Sequence, residues 1–140
     1  NHFHFLVYQT VSNTIDRFMN SLGTRYTMYF NKRYNRVGPL FQGCYKGVLV
    51  ETNEQLLYLS RYIHRNSWDL PEKLRETIPS SYPVYLGKFH QEWVKPERIL
   101  SNFHGLGYKS YQSFVESDDN DEEIKAAITV EKLALDLQIN

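Results

Sequence analysis

The chain begins Asn1-His2-Phe3-His4-Phe5-Leu6-Val7, an apolar run in which imidazoles and phenyl rings alternate. Successive side chains of an extended backbone point to opposite faces. The spacing therefore predicts a strand over residues 2–8, with His2 and His4 on one face and Phe3 and Phe5 on the other. Two imidazoles about 7 Å apart along one strand face can converge on a single divalent ion, while the phenyl face packs on a core. Taken alone, His-x-His also describes two ordinary histidines at a strand edge.

Periodicity then sets out the remaining elements. Ser12 to about Tyr34 reads as a long helix capped by Ser12 or Thr14, with Ile15, Phe18, Met19, Leu22, Tyr26, Tyr29 and Phe30 at helical spacing. A turn-rich loop follows through Gly38-Pro39, and residues 44–50 alternate weakly, which predicts a second strand. Thr52 or Asn53 caps a second helix that runs to about Asn66, with Leu56, Leu59 and Ile63 as its expected buried stripe. Beyond Trp68, Pro71, Pro79 and Pro83 break the chain into short segments. Short helices are expected at 96–103, opened by Pro96, and at about 108–116. A last amphipathic helix is expected from Asp121 to about Leu137.

The 140 residues match one domain, and 41% hydrophobic with 15% aromatic content argues for a folded chain. No apolar run approaches the roughly 20 residues of a membrane span, and no signal peptide is visible. The one cysteine, Cys44, has no internal partner for a disulfide. The pattern opens inside a strand, so a preceding strand is expected upstream of Asn1. Net charge is zero but unevenly spread. Residues 1–70 carry eight Lys and Arg against four Asp and Glu, and residues 71–140 carry eight against twelve. The basic first half is a plausible phosphate-facing surface. The acidic excess sits in residues 116–123, an expected solvated linker.

The second helix carries the chemistry. Tyr62 and Asn66 are four residues apart and share a helix face. A phenolic hydroxyl is a poor nucleophile unless its target is activated. A divalent ion that polarises a phosphodiester oxygen supplies that activation, and the product is a covalent phosphotyrosine. Asn66 offers an amide oxygen as a third ligand beside His2 and His4, since Mg²⁺ and Mn²⁺ accept oxygen donors and Mn²⁺ accepts imidazole readily. His64, two residues after Tyr62, is expected on a different face, at the surface or against DNA.

The opening motif resembles that of the HUH endonuclease superfamily. More closely, the chain resembles the REP-associated tyrosine transposases. The resemblance is carried further by Gly38-Pro39-Leu40-Phe41-Gln42-Gly43, by Tyr62-Ile63-His64-Arg65-Asn66 and by Ser80-Ser81-Tyr82-Pro83-Val84-Tyr85-Leu86-Gly87. It spans about residues 1–115. One departure is Ser67-Trp68, where the family usually has Pro-Val. The resemblance implies an α+β fold, a ferredoxin-like antiparallel sheet with helices packed on one face, here followed by a C-terminal helical tail. It implies a metal-dependent enzyme, bacterial and cytoplasmic at the nucleoid, that nicks and rejoins single-stranded DNA at hairpins, alone or as a homodimer. Carried over by position, Tyr62 is the nucleophile, and His2, His4 and Asn66 hold Mg²⁺ or Mn²⁺. Charge and proximity to these motifs nominate Lys32, Arg33, Arg36, Lys46, Arg61 and Arg65 for phosphate contacts. The alternatives are a non-catalytic nucleic-acid-binding module that keeps the fold, and a metal-dependent hydrolase of another fold. The second needs more ligands than the sequence offers.

Overall fold

The computed structural model describes residues 3–66, 68, 70–75, 78–88, 90–105 and 107–117. The chain groups into two compact units, Asn1–Val48 and Leu49–Asn140.

The first unit is built on α1, Thr14–Tyr34. Both ends of this helix are fixed by asparagines in the left-handed region, Asn13 at φ 63° and Asn35 at φ 50°, a conformation this residue tolerates better than most. The side-chain oxygen of Gln9 accepts from the backbone N–H of Ile15 at 3.2 Å, which satisfies one of the orphan donors of the first turn. At the other end the backbone N–H of Arg36 donates to Asn31 O at 2.9 Å. The Asn31 amide donates to Gly38 O at 2.8 Å, so one side chain ties the helix exit to the Gly38-Pro39 turn. Phe5 lies edge-on to Phe18 at 5.9 Å, Phe3 edge-on to Phe41 at 6.2 Å, and Phe41 lies 6.0 Å from Tyr26. The Tyr45 hydroxyl donates to Asp16.

These contacts replace a sheet. The described residues contain no β-strand, which overturns the expected ferredoxin-like antiparallel sheet with helices on one face. Alternation along residues 2–8 specifies extended backbone, but a strand also needs a neighbour to complete its hydrogen-bond ladder. Here the phenyl face of Phe3 and Phe5 meets the side chains of α1 and Phe41 instead. Residues 44–50 also lack strand structure; Gly43 turns at φ 77° just before them, and Cys44 to Leu49 are all exposed. Without a sheet to cover it, α1 buries no residue. Phe3, Phe5, Phe18, Tyr26 and Phe41 each keep more than 40% of their surface accessible.

The second unit holds a core. Its long helix α2, Asn53–Arg65, begins at Thr52, whose hydroxyl accepts from Gln55 N at 3.1 Å. The Gln55 side chain reaches back to Glu51 N at 2.8 Å, a variant of the reciprocal capping box. Three single-turn helices follow, α3 (Glu72–Arg75), α4 (Tyr82–Tyr85) and α5 (Glu97–Leu100). Proline explains their placing, since Pro71 precedes α3, Pro83 sits in the first turn of α4 and Pro96 caps α5. The last described helix, α6 (Gly107–Glu116), packs on α2 and α5. Val84, Tyr85, Ile99, Tyr111 and Val115 form the apolar core, and Tyr111 and Val115 are fully buried. The acidic stretch from Asp118 and the helix expected over 121–137 lie outside the described residues. Among the described residues no helix is long and apolar enough to cross a membrane.

Stability is therefore expected to depend unequally on the two units. Val115→Ala removes two methyl groups from a fully enclosed site and should cost about 2 kcal/mol. Tyr34→Ala, at a ring 60% accessible, should cost less than about 1 kcal/mol. Urea denaturation of both variants checks this. Equal losses would contradict a core confined to the second unit.

Candidate functional site

The inward face of α2 is polar. Its buried residues are Ser60, Arg61 and His64, each under 5% accessible. Leu56, Leu59 and Ile63, the stripe expected to be buried, are only half-buried. Burying hydroxyl, guanidinium and imidazole groups is costly unless each is hydrogen-bonded, and here their bonds run to the elements around α2. His64 Nδ1 lies 2.8 Å from the Tyr111 hydroxyl on α6, and His64 Nε2 lies 2.8 Å from Ser81 Oγ, just before α4. Tyr111 lies 3.1 Å from Ser60 Oγ, which bonds Leu57 O at 2.7 Å.

Proton positions in this chain follow from its last member. A carbonyl only accepts, so Ser60 donates to Leu57 and accepts from Tyr111. Tyr111, having donated, accepts from Nδ1–H of His64, and Nε2 accepts from Ser81. His64 is therefore neutral and protonated on Nδ1. Burial lowers its pKa from the ordinary 6.5 to about 4, which agrees with that assignment. Burial also raises the Tyr111 phenol. Three aromatic rings surround the imidazole, Tyr85 at 4.7 Å, Tyr82 at 5.3 Å and Tyr111 at 5.8 Å. The Ser81–His64 distance is that of a hydroxyl paired with a base. The third member, however, is a neutral phenol where an activating triad has a carboxylate, so nothing there stabilises an imidazolium. The arrangement acts as a clasp joining α2, α4 and α6.

A second set of bonds closes the same interface. Arg61 donates to Ser117 O at 2.6 Å and to Ser117 Oγ at 3.1 Å, and Arg65 donates to Ser117 O at 2.9 Å. Ser117 directly follows α6, so two cations sit at the negative end of that helix dipole. Arg61 also lies over the Phe114 ring at 5.3 Å, and Arg65 over Trp68 at 5.1 Å. Nearby, Tyr82 donates to Glu116 at 2.9 Å. Burial and that carboxylate raise the Tyr82 hydroxyl.

The residues nominated from sequence divide between the units. Tyr62 and Asn66 share α2 and its exit, and Tyr62 is half-buried while Asn66 is exposed. At about 100° per residue, Tyr62 lies about 150° round the helix from the middle of the buried polar face. Arg61 and Arg65 are on the same helix, with the bonds to Ser117 already described. His64, expected at the surface or against DNA, is instead buried in the clasp. In the first unit His4 is half-buried in extended backbone, and Lys32, Arg33, Arg36 and Lys46 are exposed. Lys32 and Arg33 line an open cleft of about 390 Å³ together with Tyr29, and Arg36 lies over Phe30 at 5.7 Å. His2 lies outside the described residues.

An amide oxygen suits Mg²⁺ or Mn²⁺, and of the two ions Mn²⁺ accepts imidazole nitrogens readily. Among the described residues no group of three His, Cys, Asp or Glu side chains gathers as a metal cluster. The sequence singled out Ser80-Ser81-Tyr82 only as a segment of resemblance, and Ser60 and Tyr111 carried no signal. A buried serine and tyrosine 51 residues apart are read only from the fold. No protein family, curated protein or solved structure matches the chain.

The clasp makes stability depend on pH. Between pH 6.5 and about 4 the unfolded chain takes up a proton on His64 that the folded chain refuses. Its contribution is complete above pH 6.5 and declines as pH falls towards 4, by up to about 3 kcal/mol. Denaturation across this range should show the decline in the parent chain. His64→Gln should flatten it, and an unchanged slope in that variant would show that the proton uptake lies elsewhere.

Proposed function

We propose that the protein is a metal-dependent single-stranded DNA endonuclease and strand transferase, a transposase-type enzyme that acts at hairpins. The observation that carries this reading is the direction of α2. It turns its polar face inward and leaves Tyr62 and Asn66 together on the far side. Further support comes from the His-x-His pattern of the first unit and from the exposed Lys32, Arg33, Arg36 and Lys46. Tyr29, beside Lys32 and Arg33, adds an aromatic ring of the kind on which unpaired bases stack.

In this reading His2, His4 and Asn66 would hold Mg²⁺ or Mn²⁺. When bound, the ion supplies positive charge that draws electron density from a phosphodiester oxygen. The Tyr62 oxygen attacks phosphorus, the bond from phosphorus to the 3′ oxygen breaks, and the phenolic proton ends on that oxygen. A 5′-phosphotyrosine and a free 3′ hydroxyl result, and the reverse attack by a 3′ hydroxyl rejoins the strand. Lys32, Arg33, Arg36 and Lys46 contact phosphates. Arg65 is half-buried and shares its guanidinium with Ser117, and Arg61 stays within the fold.

Tyr62→Phe removes one oxygen and keeps the ring. The variant should bind a hairpin oligonucleotide as the parent does and form no denaturation-resistant protein–DNA species. A surviving adduct would move the nucleophile to another tyrosine, Tyr58 first. Binding without an adduct in the parent itself would favour the non-catalytic module. Titration calorimetry with Mn²⁺ should find a site in the parent chain that is lost in His2→Ala/His4→Ala, and equal affinity in both would remove these histidines from the metal. Lys32→Gln and Arg33→Gln should each lower the salt slope of DNA binding by roughly 1. Unchanged slopes would remove them from the phosphate contacts.

A further inference from the structure

Three polar residues occupy the most enclosed positions on α2, where an apolar face would pack with less desolvation cost. Replacing buried polar groups by hydrophobic ones of similar size is often neutral or stabilising. What apolar packing supplies less well is a unique rotation, because hydrogen bonds are lost on a small turn of the helix that oily contacts tolerate. The bonds of His64 are of this kind. One ring nitrogen meets Tyr111 on α6 at 2.8 Å and the other meets Ser81 before α4 at 2.8 Å. The imidazole is thus held from two sides, and Ser60, one turn earlier, is held by the same phenol at 3.1 Å. Rotating α2 by even one residue step, about 100°, would break all three.

The geometry points to His64 as a positioning residue for Tyr62: the Ser81–His64–Tyr111–Ser60 clasp locks the rotation of α2 and so the aim of the phenolic oxygen on its opposite side. This rests on the reading of Tyr62 as the nucleophile. His64 is buried, with both ring nitrogens bonded within the fold. Its effect runs through the helix, and Tyr62, two residues away, is carried by the same turn. In-line attack demands that the entering oxygen lie opposite the leaving one, and misplacement by about 1 Å can cost 100-fold. Loss of the clasp should therefore slow the chemical step and leave affinity for DNA intact, because the phosphate-contacting cations of the first unit are untouched.

The experiment uses the full chain, Mn²⁺ and a labelled hairpin oligonucleotide with a single-stranded extension. Affinity is read by fluorescence anisotropy, and the rate of covalent adduct formation at saturating DNA is read on denaturing gels. Temperatures are kept below the onset of unfolding of each variant. Ser81→Ala should leave affinity within about twofold and lower the adduct rate about tenfold. Ser81→Thr, which keeps the hydroxyl, should restore most of the rate. Tyr111→Phe should act like Ser81→Ala, and the double variant should be little slower than either single one, since both act through one imidazole. If Tyr111→Phe does not fold, the comparison of Ser81→Ala with Ser81→Thr decides alone. An unchanged adduct rate in folded Ser81→Ala overturns the inference while the proposed function stands. Equal loss of rate in Ser81→Thr overturns it as well. A parent chain that binds the oligonucleotide but forms no adduct at Tyr62 removes the proposed function, and the inference falls with it.

Discussion

A neutral imidazole bonded on both ring nitrogens holds the second unit together. His64 accepts a hydrogen bond from Ser81 and donates one to Tyr111, and Tyr111 donates in turn to Ser60, which donates to the Leu57 carbonyl. The Tyr111 and Ser60 hydroxyls each both donate and accept, and both ring nitrogens of His64 are bonded, so these buried groups do not incur the full cost of desolvation. The apolar core is arranged around the same phenol. The Tyr111 ring lies 5.3 Å from that of Phe103 and 5.2 Å from that of Tyr85, and Val115 lies one helical turn further along. Changing any member of the row alters both the hydrogen bonding and the packing of α2 against α6.

The two units also differ in how they are held. Aromatic edges and the caps of a single helix organise the first, and its rings remain largely accessible. The second encloses its polar row within an apolar shell and adds two arginines at the end of α6. Local opening is governed by buried contact, so the first unit should exchange its amide protons faster. That unit carries His4 and the exposed cations, and the second carries Tyr62.

Much of the helical structure was legible in the sequence. The i, i+3, i+4 spacing of Ile15 to Phe30 marked α1, Thr52 or Asn53 marked the start of α2, and Pro96 marked α5. These signals are local and act within a turn or two. The sheet failed because alternation at Phe3 and Phe5 describes only what a single segment prefers, and pairing requires a partner that no local pattern names. The face of α2 was misjudged for a related reason. Leu56, Leu59 and Ile63 form a clear apolar stripe, yet α6 packs roughly 100° away from it, on Ser60, Arg61 and His64. Apolar periodicity cannot reveal a polar interface. Only the approach of Tyr111 and Ser81 from distant parts of the chain turns those three residues into an inward face. Spacing alone puts Tyr62 and Asn66 on one side of α2, whereas it gave His64 the wrong surroundings.

The clasp depends on the protonation of one ring, and nitrogen-15 shifts of the His64 side chain report it directly. The clasp requires a neutral imidazole at pH 7 with the proton on Nδ1 and a bare Nε2, a tautomer less common in free histidine. It also requires that Tyr111→Phe disturb that signature while the ring stays in place. An imidazolium would reverse the bond from Ser81, and a ring protonated on Nε2 would reverse both bonds of His64; either result would contradict the role given to this interface.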